Sequence, residues 1–389
     1  MLDFMYYNPA RIAFGRQAVE KTGELCARYG RKALLHFGGG SIYKNGVYER
    51  VTASLKAAGV AWVELGGVKP NPRVSLVREG VELCRREGVE VILAVGGGSV
   101  IDSAKAIAVG VPYAGDVWDF YYDGTIPPAA ALPVGVVLTI PAAGSESSNG
   151  SVITNEDGWY KRDLGSELII PKFAVMNPEF TFSLPPYQTA CGASDILAHM
   201  FERYFTQVAH TDLTDRMLEA AMKTLLIHAP IAMQQPENYD ARAEIMWTGT
   251  LAHNSLLDTG RIGDWASHNL EHELSGIYDI AHGAGLSIIF PAWMRYCHKA
   301  GPARFVQLAR RVFGVDLAEG DDEAVIQEMI CRLEAWYKRL GLPTRLHEAG
   351  IGEDRLEEMA HKLFVGRPEQ GHFMRLNEED ALNIYRLAR

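Results

Sequence analysis

Four residues in the second half of this chain have the types and spacing of one metal site. Asp195 and His199 stand four apart in "CGASDILAHMFE", and His268 and His282 follow in "DWASHNLEHELSGIYDIAHGAG". On a helix, residues four apart project from one face into the same space. His268 and His282 are fourteen apart, which on one continuous helix would separate them by roughly 21 Å at about 1.5 Å per residue. That is too far for one ion, so the chain must turn back between them, and Gly276 offers a place to turn. One carboxylate and three imidazoles suit Zn²⁺ or Fe²⁺, with bonds of about 2.0–2.2 Å for zinc and room for a substrate oxygen. The chain has 12 histidines, and a lone helical histidine is ordinarily a surface or core residue. The set carries the argument.

The elements that must hold these residues fall into two halves. Of 38 glycines, 23 precede residue 191 and 15 follow it. The first half alternates strand-length apolar runs (Ala33–Phe37, Ala61–Leu65, Val89–Val95, Val134–Ile140) with stretches such as "YERVTASLKAAG", whose apolar residues recur at helical spacing. Strand and helix in alternation predict a parallel sheet covered by helices, with "YYNPARIAFG" as an additional edge strand. After Leu184-Pro185-Pro186 the pattern changes to long helices over Tyr187–Thr206, Leu213–Ala229 and Asn238–Leu257, with several more beyond Pro302. The expected organisation is an α/β domain over residues 1–187 and an all-helical domain over 188–389. The length agrees with two domains.

Two predicted strands end in the same tetrapeptide, Gly38-Gly39-Gly40-Ser41 and Gly96-Gly97-Gly98-Ser99, the second opening the helical pattern "VIDSAKAIA". Glycines at a strand-to-helix turn let a ligand approach the backbone, and the free N–H groups and helix dipole attract a phosphate. This is neither the spaced GxGxxG fingerprint nor a P-loop. The plainer reading is a tight turn, with Asp102 and Lys105 as ordinary first-turn residues. A third loop, "LTIPAAGSESSNGSVIT", could line a crevice at the carboxyl ends of the strands with small and hydroxyl residues from Thr139 to Ser151.

Composition excludes several classes. A net charge of −10 without a Lys/Arg cluster disfavours nucleic acid. The five scattered cysteines form no CxxC pair and suit a reducing compartment. The N-terminus lacks a signal-peptide pattern, and the uncharged stretch Gly124–Ser145 contains four prolines, so no membrane helix is expected. The expected location is the cytoplasm. Ser145 lacks the GxSxG elbow of a serine hydrolase.

Taken end to end, the segments "NPARIAFG", "GGGSIYKNGV", "KPNP", "AVGGGSVIDSAKAIA", "LTIPAAGSESSNGSVIT", "FTFSLPP", "DILAHMFE" and "RIGDWASHNLEHELSGIYDIAHGAGLSIIFPAW" resemble the iron-containing (group III) alcohol dehydrogenases, particularly the butanol dehydrogenase and broad aldehyde reductase branch. The resemblance implies a dinucleotide-binding α/β domain, a helical metal domain, a catalytic cleft between them and a homodimer. Asp195, His199, His268 and His282 match the family's metal ligands, and Gly96, Gly97, Gly98, Ser99 and Asp102 its pyrophosphate loop. Asn71, Thr139, Ala142, Ser145 and Lys161 fall where members contact the nucleotide, and His272 matches a histidine near the nicotinamide that is not a ligand. The third loop departs from the family, reading "PAAGSES" where many members have "PTTAGTGSE".

The implied reaction is hydride transfer between a nicotinamide cofactor and a primary alcohol or aldehyde such as butanol or butanal, with the metal as Lewis acid. The alternatives within similar folds are a glycerol-type polyol dehydrogenase and a dehydroquinate-synthase-like lyase, both opposed by "DWASHNLEHELSG". A third alternative is a nucleotide-binding module without catalysis. NAD-preferring members carry an Asp where this chain has Gly38. With no carboxylate there, and with Ser41 and Lys44 able to meet a phosphate, the sequence favours NADP(H) over NAD(H).

Overall fold

Along β2 (Lys32–Phe37) the side chains of Ala33, Leu35 and Phe37 join one apolar cluster and Leu34 the other. The same alternation runs through β4 (Val91–Gly97), β5 (Val134–Ile140) and β8 (Phe173–Met176). A strand with helices on both sheet faces has no polar side, so it reads in sequence as a continuous apolar run. The computed structural model describes residues 1–317 and 320–389. With β1 (Arg11–Phe14) and β3 (Ala61–Leu65), these strands form a six-stranded sheet in the order β1-β8-β5-β4-β2-β3, every neighbouring pair parallel. β1 is the edge strand that "YYNPARIAFG" predicts.

Two strand features lay outside the sequence reading. β8 follows the third loop and fills the place between β5 and β1. β6 (Gly150–Asn155) and β7 (Tyr160–Gly165) make a separate antiparallel hairpin, in which Thr154 faces Lys161. One further boundary moved. Gly96 and Gly97 continue β4, opposite Leu138 and Ile140 of β5, so only Gly98 begins the helix Gly98–Gly110.

The chain divides into two compact units. The sheet unit comprises Tyr7–Leu184 and Pro236–Asn254, and the helical unit Met1–Tyr6, Pro185–Gln235 and Ser255–Arg389. The helix Tyr239–His253, which sequence pattern places in the helical half, thus belongs with the sheet. Its Met246 lies in the sheet's apolar cluster, and its Thr250 hydroxyl donates to Glu146 at 2.6 Å. Helical periodicity identifies a helix without naming the surface that it covers.

In the helical unit, Pro186–Tyr204, Ala266–Tyr278 and His282–Cys297 carry the four candidate ligands. No helix of the described residues is long and apolar enough to cross a membrane.

Candidate active site

Pro186 opens the first ligand helix, where a missing N–H is harmless. Asp195 and His199 follow one turn apart, both buried. His282 opens the last ligand helix, and the backbones of these two helices pass so closely that a Cβ on Gly283 would lie 2.0 Å from the Cys191 carbonyl oxygen. Only glycine allows that approach, and it brings His282 beside Asp195. The expected turn at Gly276 is displaced: Gly276 is buried within the helix Ala266–Tyr278, and Asp279 reverses the chain with φ 52°. Asp is one of the few non-glycine residues that tolerate this left-handed conformation.

Asp195 Oδ1 then lies 3.0 Å from His199 Nδ1, 3.9 Å from His268 Nε2 and 3.8 Å from His282 Nε2. Donor atoms of Asp195, His268 and His282 all fall within 4.8 Å of one another. His199 packs against them, its ring centroid 4.6 Å from that of His268. Asp195 Oδ1 and His268 Nε2 are buried and have no hydrogen-bond partner. Two such atoms 3.9 Å apart need a proton or a cation between them to rest in a buried place. A tetrahedral ion with bonds of about 2.1 Å holds its ligands about 3.4 Å apart, so a small closure around an ion would satisfy both atoms.

Burial raises the Asp195 carboxyl, yet the neighbouring His199, His268 and His282 hold it well below the usual range. Burial pushes His199 down against the pull of Asp195. It opposes the charged form of His268 too, but Asp195 and Glu202 lift that ring to about 9. A metal ion held by His268 would take the place of that ring's second proton. His272 lies one turn beyond His268, also buried, with its ring centroid 5.6 Å from that of His282.

In the sheet unit, strand order brings the two glycine tetrapeptides side by side. Phe37 of β2 is paired with Val95 of β4, so Gly38, just past the end of β2, and Gly96, still within β4, follow as neighbours, and an added Cβ on either would meet Val100. The chain leaves β2 towards β3 on one side and β4 towards β5 on the other. Ligands of open α/β sheets bind at such a switch point. A Cβ at Gly96 would sit 2.5 Å from Val100, one at Gly97 2.8 Å from Ile140, and one at Gly98 3.0 Å from Ala143. Glycine is therefore demanded by packing at the start of the helix Gly98–Gly110.

The other expected nucleotide contacts divide by exposure. Gly39, Ser41 and Lys44 are exposed, Gly38, Gly40, Ser99, Asp102 and Ala142 half-buried, and Asn71, Thr139, Ser145 and Lys161 buried. The Thr154 N–H donates to the Pro72 carbonyl at 2.8 Å, which ties the "KPNP" segment of Asn71 to the hairpin that carries Lys161. Asp102 accepts the Ser145 hydroxyl at 2.6 Å and the Val152 N–H at 3.0 Å, which makes it an anchor of the third loop. Lys105 completes that anchor. Its wholly buried Nζ donates to Ser145 Oγ, Ser148 O and Gly150 O at 2.8–2.9 Å, and burial pushes its pKa down to about 8 despite Asp102 and Glu146.

The family model for iron-containing alcohol dehydrogenases matches residues 9–178, and that for the C-terminal part of the Fe-containing family matches residues 189–389. The chain belongs to the iron-containing alcohol dehydrogenase family. As a member it is an oxidoreductase that works with a nicotinamide nucleotide and a metal. The probable NADH-dependent butanol dehydrogenase 1 of Bacillus subtilis is 45% identical over 384 residues, 99% of each chain. The NADPH-dependent aldehyde reductase of Escherichia coli is 36% identical over the full length of both. The crystal structure of NADH-dependent butanol dehydrogenase A from Thermotoga maritima superposes with a TM-score of 0.96 at 41% identity, covering 100% of this chain and 99% of that one.

In this iron-containing alcohol dehydrogenase two buried charges, Glu202 and Glu271, carry no motif of their own in the sequence pattern, and a third, Lys105, is buried within the helix Gly98–Gly110 where an ordinary first-turn residue was expected. Glu202 lies three residues after His199, Glu271 three after His268, and Lys105 three after Asp102. That interval is the available signal, since it returns each group to the face of the residue before it. A helical Glu or Lys ordinarily marks a solvated face, and only packing shows that these do not.

Proposed function

We propose that this enzyme reduces aldehydes to primary alcohols, butanal to butanol among them, and catalyses the reverse oxidation with NADP(H). The nucleotide is bound by the loops at Gly38–Ser41 and Gly96–Ser99, with Lys44, Asn71, Asp102, Thr139, Ala142, Ser145 and Lys161 as further contacts or supports. Asp195, His199, His268 and His282 hold the divalent cation, Fe²⁺ or Zn²⁺, both of which suit one carboxylate and three imidazoles. The observation that carries this reading is the unpartnered pair Asp195 Oδ1 and His268 Nε2, with His282 Nε2 in reach of the same space.

When bound, the metal polarises the substrate oxygen as a Lewis acid. A bound nicotinamide would supply the hydride for the carbonyl carbon, and the substrate oxygen would then need one proton. His272, one turn from His268 and beside His282, relays that proton to and from solvent. The missing carboxylate at Gly38 supports NADP(H). The cysteines, none of them paired, support a cytoplasmic location. The edge strand β1, where a second copy could pair, supports a homodimer.

The test is oxidation of NADPH and NADH by purified protein of measured metal content, against a panel of aldehydes and diols. Turnover of butanal by the metal-loaded enzyme is expected. Binding of nucleotide without turnover of any aldehyde would refute the proposal, as would full activity after the metal has been stripped.

A further inference from the structure

Each of the three candidate histidine ligands already has its Nδ1 in contact with an oxygen. His199 Nδ1 is 2.9 Å from the Asp195 carbonyl oxygen, His268 Nδ1 is 2.7 Å from Glu202 Oε1, and His282 Nδ1 meets Glu271 Oε2. A carbonyl or ionised carboxylate oxygen only accepts, so Nδ1 carries the proton in each ring. In His268 and His282 the other ring nitrogen, Nε2, faces Asp195 Oδ1 at 3.9 and 3.8 Å.

Glu202 and Glu271 are buried, 1% and 0% exposed. Both are held in place from elsewhere. Glu202 also accepts the backbone N–H groups of Trp265 at 2.5 Å and His268 at 3.0 Å, while the second oxygen of Glu271 accepts the Ser275 hydroxyl. A Cβ on Gly285 would lie 2.4 Å from Glu271 Oε1, so the glycine leaves this carboxylate its seat. With Asp195, three buried carboxylates surround the imidazoles, an arrangement that is costly without a compensating cation.

Glu271, His272 and His282 also bring donor atoms within 4.8 Å of one another, which on distance alone resembles a second ion site. The contact between Glu271 and His282 Nδ1 accounts for that closeness, and an ion there would have to break it.

We propose that Glu202 and Glu271 are positioning residues that act on the metal through His268 and His282. They fix the Nδ1–H tautomer, aim Nε2 at the ion and raise the basicity of each ring, so that retention of the metal depends on them. The proposal rests on the reading of Asp195, His199, His268 and His282 as ligands.

The test measures metal binding apart from activity. Metal-free wild type, Glu202→Gln and Glu271→Gln are titrated with Zn²⁺ against a chromophoric chelator, and their Co²⁺ forms compared by visible absorption. Each Gln variant is expected to keep the metal-free thermal midpoint, to bind Zn²⁺ about 10- to 100-fold more weakly, and to shift the Co²⁺ bands. Gly285→Ala, which crowds the seat of Glu271 without removing charge, is expected to weaken Zn²⁺ binding in the same direction. Should Glu202→Gln fail to fold, Glu271→Gln and Gly285→Ala carry the test. Variants that bind Zn²⁺ like wild type, with unchanged Co²⁺ spectra, would overturn the positioning role. A wild-type chain that takes up no metal would instead overturn the ligand reading on which it rests.

Discussion

Gly38→Asp is expected to turn the enzyme from NADPH towards NADH. Gly38 follows β2 directly, lies beside Gly96 and keeps a φ outside the left-handed region. A Cβ there meets nothing nearer than the Val68 carbonyl oxygen at 3.4 Å, so the new side chain fits and its effect is electrostatic. A carboxylate about 5 Å from a 2′-phosphate of charge about −2, at an effective dielectric of about 40–80 and screened by physiological salt, is repelled by about 1–2 kcal/mol. That corresponds to a loss of about 5- to 30-fold in kcat/KM with NADPH relative to NADH. The assay is steady-state reduction of butanal with each nucleotide at low and high salt, using Gly38→Asn as the uncharged control of similar shape. Salt should shrink the difference between the Asp and Asn variants, because only charge separates them. Equal nucleotide ratios for the two variants, or a wild type that uses NADH more efficiently than NADPH, would refute the reasoning.

Three further outcomes follow from the geometry. His282→Ala should lower metal content from about one ion per chain and abolish most turnover, while nucleotide fluorescence titration still shows binding; full metal occupancy with full activity would contradict it. His272→Ala should keep its metal but lose rate and alter the pH profile of kcat, and an unchanged rate and profile would remove the relay. Lys105 has a folded pKa of about 8 against an ordinary 10.5. The unfolded chain therefore binds more protons between these values, and burial of the ammonium destabilises the fold below pH 8 and ceases to do so as pH rises towards 10.5. Between pH 7 and 9.5 the stability of wild type should rise by about 2 kcal/mol relative to Lys105→Met, read from urea unfolding of the two proteins; a gap independent of pH would show that Lys105 does not titrate in this window.

The sequence by itself determined whatever depends on local period. Apolar runs with both faces covered gave β2, β4 and β5, the run Ala61–Leu65 gave the more exposed edge strand β3, and the i, i+4 spacing of Asp195 and His199 placed both side chains in one space before any fold was known. It also located the glycine tetrapeptides at strand ends, since glycine before a helix is a local signal. Only the tertiary structure decided which distant segments meet. Gly283 lets two helix backbones close until His282 reaches Asp195, and the strand order sets Gly38 beside Gly96. Packing turned the chain at Asp279 rather than Gly276, and carried the helix Tyr239–His253 to the sheet. It also buried Glu202 and Glu271 behind the histidines, where a helical glutamate would ordinarily face water. The physical reason is common to all of these: side-chain period fixes the face a residue occupies, whereas the partner of that face is chosen by shape and by charges that must find counterparts once water is excluded.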